Sequence, residues 1–284
     1  MGTGLCRTNA VAGSRPCLSS KPFSCDLVRR TYSFCAPQDA EAEAPVSVGK
    51  ERGKSTKGGE MSTEIFAPQL KGELTGAALR QRVAAAIDDL ISQLPNPESM
   101  DAETRRGIIA RYTAVLEGNF IYWMTATYLA VQAEDARPIL IENLQEEVRD
   151  SHPAMLRRFT IAANAFPKDS DAMAVDAELT RVRLFLGKMQ GVQSLLTMAF
   201  FEGYIQRFMA YLADLAGAQG SFEREYTDVH GVCDIAHSEG LFQAVTLEMA
   251  VNPAPADADI FEGVELLRNL LERIVQGPEQ MLAA

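Results

Sequence analysis

Apolar residues recur every three or four positions along most of the chain beyond about residue 76. The stretch 77–94 places Leu79, Val83, Ala86, Ile87, Leu90, Ile91 and Leu94 on one helical stripe. Pro95-Asn96-Pro97 stops it. Asp101 is positioned to cap a second, long helix reaching about Gln132, with Ile108, Ile109, Tyr112, Leu116, Phe120, Trp123 and Tyr128 along its length. A third helix begins near Pro138, a favourable first-turn proline, and runs to about Val148. Ser151-His152-Pro153 reads as the cap and first turn of a fourth, to about Ala165. The pattern resumes from Asp176 to about Leu215, bent at Gly187 or Gly191, then over 221–250, closed by Asn252-Pro253, and finally over 257–276. No segment alternates with period two long enough to make a strand, and no internal repeat is visible. The expectation is an all-α bundle of about seven helices.

The first 60 residues break this pattern. They are rich in Gly, Ser, Pro, Ala and charge, and segment 1–70 is expected to be a disordered extension, with the helical domain over 71–284. The first 25 residues lack Asp and Glu and carry Arg, Lys and Ser, as an organelle transit segment does. The favoured alternative is an over-long gene model, with Met61 as the native start. Four of the five cysteines (Cys6, Cys17, Cys25, Cys35) lie here, in spacings that match no zinc ribbon, and only Cys233 falls in the body. A disulfide framework is thereby excluded, and a reducing cytoplasm is expected.

Charge sharpens the contrast. Residues 1–60 carry 9 Lys and Arg against 6 Asp and Glu, whereas residues 61–284 carry 18 against 32. An acidic body argues against a nucleic-acid partner or an anionic membrane surface. No apolar run reaches the roughly 20 residues of a membrane span.

Chemistry enters with the histidines. The chain has 3, and two of them form His230-x3-Asp234-x2-His237. On a helix these positions share one face, so two imidazoles and a carboxylate project together. The third, His152, follows the acidic pair Glu146-Glu147. Two further carboxylates, Glu117 and Glu202, sit in strongly apolar helical surroundings, where an unpaired charge is costly. Glu117, Glu147, Glu202 and Asp234 would bring four negative charges, which two divalent ions would balance. Such N/O donor sets suit iron or manganese. A ferritin-like di-iron bundle needs two Glu-x-x-His motifs, and this chain has none.

The chain resembles the haem-oxygenase-like dimetal (di-iron) oxidases. Three segments carry the resemblance: Asn143-Leu144 with Glu147 followed by Ser151-His152-Pro153; Glu202 in an apolar helix; and His230-x3-Asp234-x2-His237. Glu117 takes the place of that family's first-helix carboxylate. The resemblance spans about residues 76–276. The link between glutamate and histidine is shorter here than the family's glycine-rich loop. That leaves Glu146 as an alternative to Glu147, which the Asn-Leu-x-x-Glu register favours, and Glu142 as a third candidate.

The resemblance implies a seven-helix bundle holding two Fe(II) ions, with manganese as an alternative, and O₂ as co-substrate. It implies a division in which Glu117, His152 and His237 hold one ion, Glu147, His230 and Asp234 the other, and Glu202 bridges. Family substrates include free amino acids and small carboxylic acids. A small, free aliphatic amino acid is therefore expected, attacked at an unactivated C–H bond. Desaturation, C–C cleavage, N-oxygenation and C–N cyclisation are all open outcomes; the azetidine-forming oxidases of antibiotic biosynthesis belong to the family. An external reductant, a carboxylate-binding arginine among Arg181, Arg183 and Arg207, and a homodimer are compatible with it. Phe200, Phe201, Tyr204, Tyr122 and Met198 are either pocket wall or core. Two alternatives stand beside this reading: a metal-independent enzyme on the same scaffold, for which Cys233, lying between the ligand candidates, could be read as a nucleophile, and a helical binding protein with buried His–Asp pairs. A haem oxygenase proper needs an early axial histidine, and none precedes His152.

Overall fold

A computed structural model describes residues 76–277, and helices are the only regular secondary structure among them. The readings made on the first 70 residues, including Met61 and the four cysteines, lie outside the described residues. The elements are α1 (Gly76–Ser92), a 3₁₀ turn (Pro97–Ser99), α2 (Ala102–Leu116), α3 (Asn119–Ala130), α4 (Arg137–Arg149), α5 (His152–Ala162), α6 (Asp169–Leu186), α7 (Gly191–Ala218), α8 (Glu225–Val251) and α9 (Glu262–Gln276). None is long and apolar enough to cross a membrane.

Nine α-helices stand among the described residues where seven were expected, because two long periodic stretches are each cut in two. The second stretch breaks at Gly118, whose φ of 82° lies in the left-handed region that glycine enters without steric cost. Helix α2 thus ends with Glu117 as its C-cap, and α3 restarts at Asn119. The other break falls over 187–190, between α6 and α7, at the two glycines that the sequence marked. Gly191 is required by packing: a Cβ there would run into the Glu248 carboxylate.

Helix α7 forms the axis of the bundle. Phe200, Phe201, Met198 and Leu212 have no exposed surface, and Tyr204 and Phe208 only 1%. A helix this apolar on all sides belongs inside a protein, surrounded by others. Helix α8 runs antiparallel along it, as shown by the Ser238-to-Ala199 and Gln206-to-Gly231 hydrogen bonds. Helix α1 adds its predicted stripe of Leu79, Val83, Ile87 and Leu90, each buried and each contributing about 1.5–3 kcal/mol. Asp101 caps α2 as expected, its Oδ1 accepting the Thr104 N–H at 2.7 Å.

Candidate metal centre

Four helices bring the acidic and imidazole side chains together. Helix α4 supplies Glu146 and Glu147, α5 supplies His152, α7 supplies Glu202, and α8 supplies His230, Asp234 and His237. The α4–α5 junction is tight. Ser151 adopts φ 59°, a left-handed conformation that costs a residue with a side chain roughly 1 kcal/mol or more. Its side chain makes no capping bond, contrary to the sequence expectation. The turn's effect is to start α5 at His152, whose Nδ1 then lies 2.7 Å from Glu147 Oε1.

Two groups of three buried residues result: Glu147, His152 and His230, and Glu202, Asp234 and His237. In each, one ligand atom per residue lies within 4.8 Å of the others. This grouping differs from the division implied by the family resemblance, which placed His152 and His237 on one ion. The α4–α5 turn ties His152 to Glu147 instead, while α8 carries His237 beside Asp234 and Glu202. In the first group His230 Nε2 is 3.8 Å from Glu147 Oε1, and its Nδ1–H donates to the Tyr226 carbonyl at 2.9 Å. In the second, His237 Nδ1 is 3.6 Å from Asp234 and 3.8 Å from Glu202, and its Nε2 is 2.8 Å from Glu146 Oε2.

Glu117 belongs to neither triplet but lines the same cavity as Glu147, His152, Glu202, His230 and Asp234. It is half-buried at the rim of the cavity and is engaged by the Arg157 guanidinium. Glu142 is exposed on the outer face of α4.

The electrostatics are those of a crowded anionic site. Burial alone would raise Glu147, but the bonds from His152 and His230 outweigh it and hold the carboxyl at about 2. Burial and the neighbouring Asp234 charge push Glu202 up to about 7, and burial raises Asp234 as well. Burial disfavours a charged His230, yet Glu147 and Asp234 lift it to about 9. His237 is raised further still against burial, by Asp234, Glu146 and Glu202. Even so, both oxygens of Asp234 and Oε1 of Glu202 are buried without a hydrogen-bond partner. Buried carboxylate oxygens are seldom left in this condition. The donor set, mixed imidazole and carboxylate, is the kind that divalent iron or manganese takes, so these residues fit a pair of such ions.

The adjoining cavity measures about 30 Å³, room for about two waters. Its walls include Leu116, Phe120, Ile121, Ile205 and Tyr226. The aromatic residues weighed as a pocket wall lie elsewhere. Phe200, Phe201 and Met198 are core, Tyr204 packs on Phe208, and Tyr122 is 46% exposed. The three arginines weighed as carboxylate binders are also engaged away from the cavity: Arg183 with Asn119, Arg207 with Asp88, Arg181 beside Glu178. Cys233 is half-buried and does not line the cavity.

Sequence reasoning missed Tyr226 and Arg157. Tyr226 orients His230 through its carbonyl, lays its ring 4.2 Å from that imidazole, and shares a 2.8 Å hydrogen bond with Tyr112. Burial pushes both phenols far up, so both stay protonated. Its position one turn before His230, on the same helical face, was the available signal. Arg157 offered none, since its partner is set by how α5 packs near the end of α2. The chain matches no protein-family model and no curated protein.

Proposed function

We propose that this chain is a non-haem dimetal oxidase with a haem-oxygenase-like bundle, using two Fe(II) ions and O₂ to attack an unactivated C–H bond of a small, free aliphatic amino acid. One observation carries the reading: two adjacent buried triplets of imidazole and carboxylate, three of whose oxygens have no hydrogen-bond partner. Buried carboxylates kept only for the fold are ordinarily paired.

In this reading Glu147, His152 and His230 hold one ion and Glu202, Asp234 and His237 the other. Bound iron would supply O₂ activation and the electrons for it, replenished by an external reductant. The protein's residues do the rest. The Tyr226 carbonyl fixes the His230 ring so that Nε2 faces the site. Leu116, Phe120, Ile121 and Ile205 keep water from the reacting carbon. Glu147, held ionised at about 2, stays a ligand at any physiological pH. Glu202 at about 7 and protonated His230 and His237 must surrender protons when ions enter. Glu117, Gly118 and the start of α3 border this cavity on the side where a substrate would enter. Desaturation, C–N cyclisation and C–C cleavage remain alternative outcomes of the same first step.

The test is anaerobic titration with Fe(II), followed by O₂ in the presence of a panel of free amino acids. Binding of two ions per chain and a transient visible band that depends on one amino acid are expected. Trace binding, or no O₂ consumption with any amino acid, overturns the reading.

A further inference from the structure

The two α8 histidines are held by opposite ring nitrogens. His230 is fixed through Nδ1, by a backbone carbonyl of its own helix. His237 is fixed through Nε2, by a side chain from another helix, Glu146 of α4. The nitrogens facing the carboxylate groups are therefore Nε2 in His230 and Nδ1 in His237. The second oxygen of Glu146, Oε1, lies 4.0 Å from the Arg149 guanidinium, which is itself hydrogen-bonded to Asp150, and the Glu146 side chain is 14% exposed. An imidazole's two nitrogens sit on different edges of the ring. A carboxylate bound at Nε2 therefore lies on the edge turned away from Asp234 and Glu202.

From this geometry we infer that Glu146 is a positioning residue: it binds the Nε2–H of His237 so that Nδ1 is presented to the Asp234–Glu202 ion, and is not itself a ligand. The inference rests on the dimetal reading. It gives adjacent glutamates of one helix different duties. Glu147 points inward and binds an ion; Glu146, one residue earlier and so about 100° around the helix, reaches across to the back of a histidine on α8. Hydrogen-bonded partners behind a metal-bound histidine fix its tautomer and ring orientation. The carboxylate also keeps the proton on Nε2, leaving the Nδ1 lone pair for the ion once the ring gives up its second proton.

The experiment compares wild type, Glu146→Gln, Glu146→Ala and Glu147→Gln by calorimetric titration with Co(II), together with long-range proton–nitrogen NMR of the histidine rings in protein loaded with diamagnetic Zn(II). Wild type is expected to bind two ions. Glu146→Gln, whose amide oxygen still accepts the Nε2–H, should bind both within about threefold of wild type, whereas Glu146→Ala should weaken one of the two by about 10–100-fold. Glu147→Gln should weaken the other. In loaded wild type, His237 should carry its proton on Nε2, and Glu146→Ala should lose that single tautomer. Equal loss of an ion in Glu146→Gln and Glu146→Ala makes Glu146 a ligand and overturns the inference. Unchanged affinity and tautomer in Glu146→Ala reduces the contact to a structural ion pair and overturns it too. Wild type that binds no Co(II) removes the dimetal reading itself, and the inference with it. Two ions in wild type with an unaffected Glu146→Ala removes only the inference.

Discussion

Two regions of this bundle bury carboxylates equally deeply and treat them in opposite ways. Near the end of α8, Glu248 has no exposed surface, yet every bond it needs is made. Its Oε2 accepts the backbone N–H groups of Gln132 and Ala133 at 2.9 and 2.8 Å, and its Oε1 accepts Asn252 Nδ2 at 3.0 Å. It closes the loop between α3 and α4, and Gly191 makes room for it. Some way back along the same helix, Asp234 is 1% exposed and Glu202 of α7 is 2% exposed, and three of their four oxygens have no hydrogen bond. Burial alone does not distinguish structure from function. What distinguishes them is whether the fold has supplied donors, because an unsatisfied buried carboxylate persists only where something else gains from it.

The sharpest way to break this comparison is to remove one member of the unpaired region. His230→Ala and Glu202→Ala should each lower turnover by at least about 100-fold and eliminate tight binding of one ion, with helical circular dichroism near wild type. Turnover retained in either variant would contradict the assignment.

Stability should then respond in opposite directions in the two regions. Glu248→Ala leaves three donors without their acceptor and should destabilise the protein by about 3 kcal/mol. Glu202→Met, similar in volume and uncharged, should stabilise the metal-free protein by about 1 kcal/mol while weakening ion binding. Denaturant melts of metal-free protein check both. A stabilising Glu248→Ala, or a strongly destabilising Glu202→Met, would reverse the roles assigned.

Stability should also respond to pH. His230 is raised from an ordinary 6.5 to about 9, so its stabilising contribution is complete below 6.5 and is lost as pH rises through 9. Glu202 is raised to about 7, so the folded state holds its proton more tightly than the unfolded chain does, and this contribution also declines as pH rises from about 4.5 to 7. Both act in the same direction, and metal-free protein should lose stability from about pH 5 to 9. Glu147 adds the acid limb: at about 2 in the fold, it contributes above the ordinary carboxylate range and loses that contribution as pH falls through 2. The metal's stabilisation runs the other way and should grow with pH, because ions compete with protons for the same atoms. Melting curves with and without Co(II) at pH 5.5, 7 and 8.5 should diverge steadily.

The helical nature of the chain was legible from period alone, and so were most ligand candidates. His230, Asp234 and His237 share a face because i, i+4 and i+7 do so on any helix, and Glu202 betrayed itself as a charge in a run that buries nearly everything else. The α2–α3 break was not legible. Gly118 was visible, but an isolated glycine is tolerated inside many helices, and only packing decided that here it turns the chain. That turn sets Glu117 beside the cavity the triplets line, in reach of Arg157.

The sequence by itself determined an all-helical body, its apolar faces, and the residue types able to hold divalent ions, because these follow from short-range periodicity and from the chemistry of side chains. Only the tertiary structure decided which carboxylate meets which imidazole. The separation of Glu146 from Glu147 and the opposite presentation of His230 and His237 depend on how α4 and α5 pack against α8, and the angles of that packing are set by contacts between residues far apart in the chain.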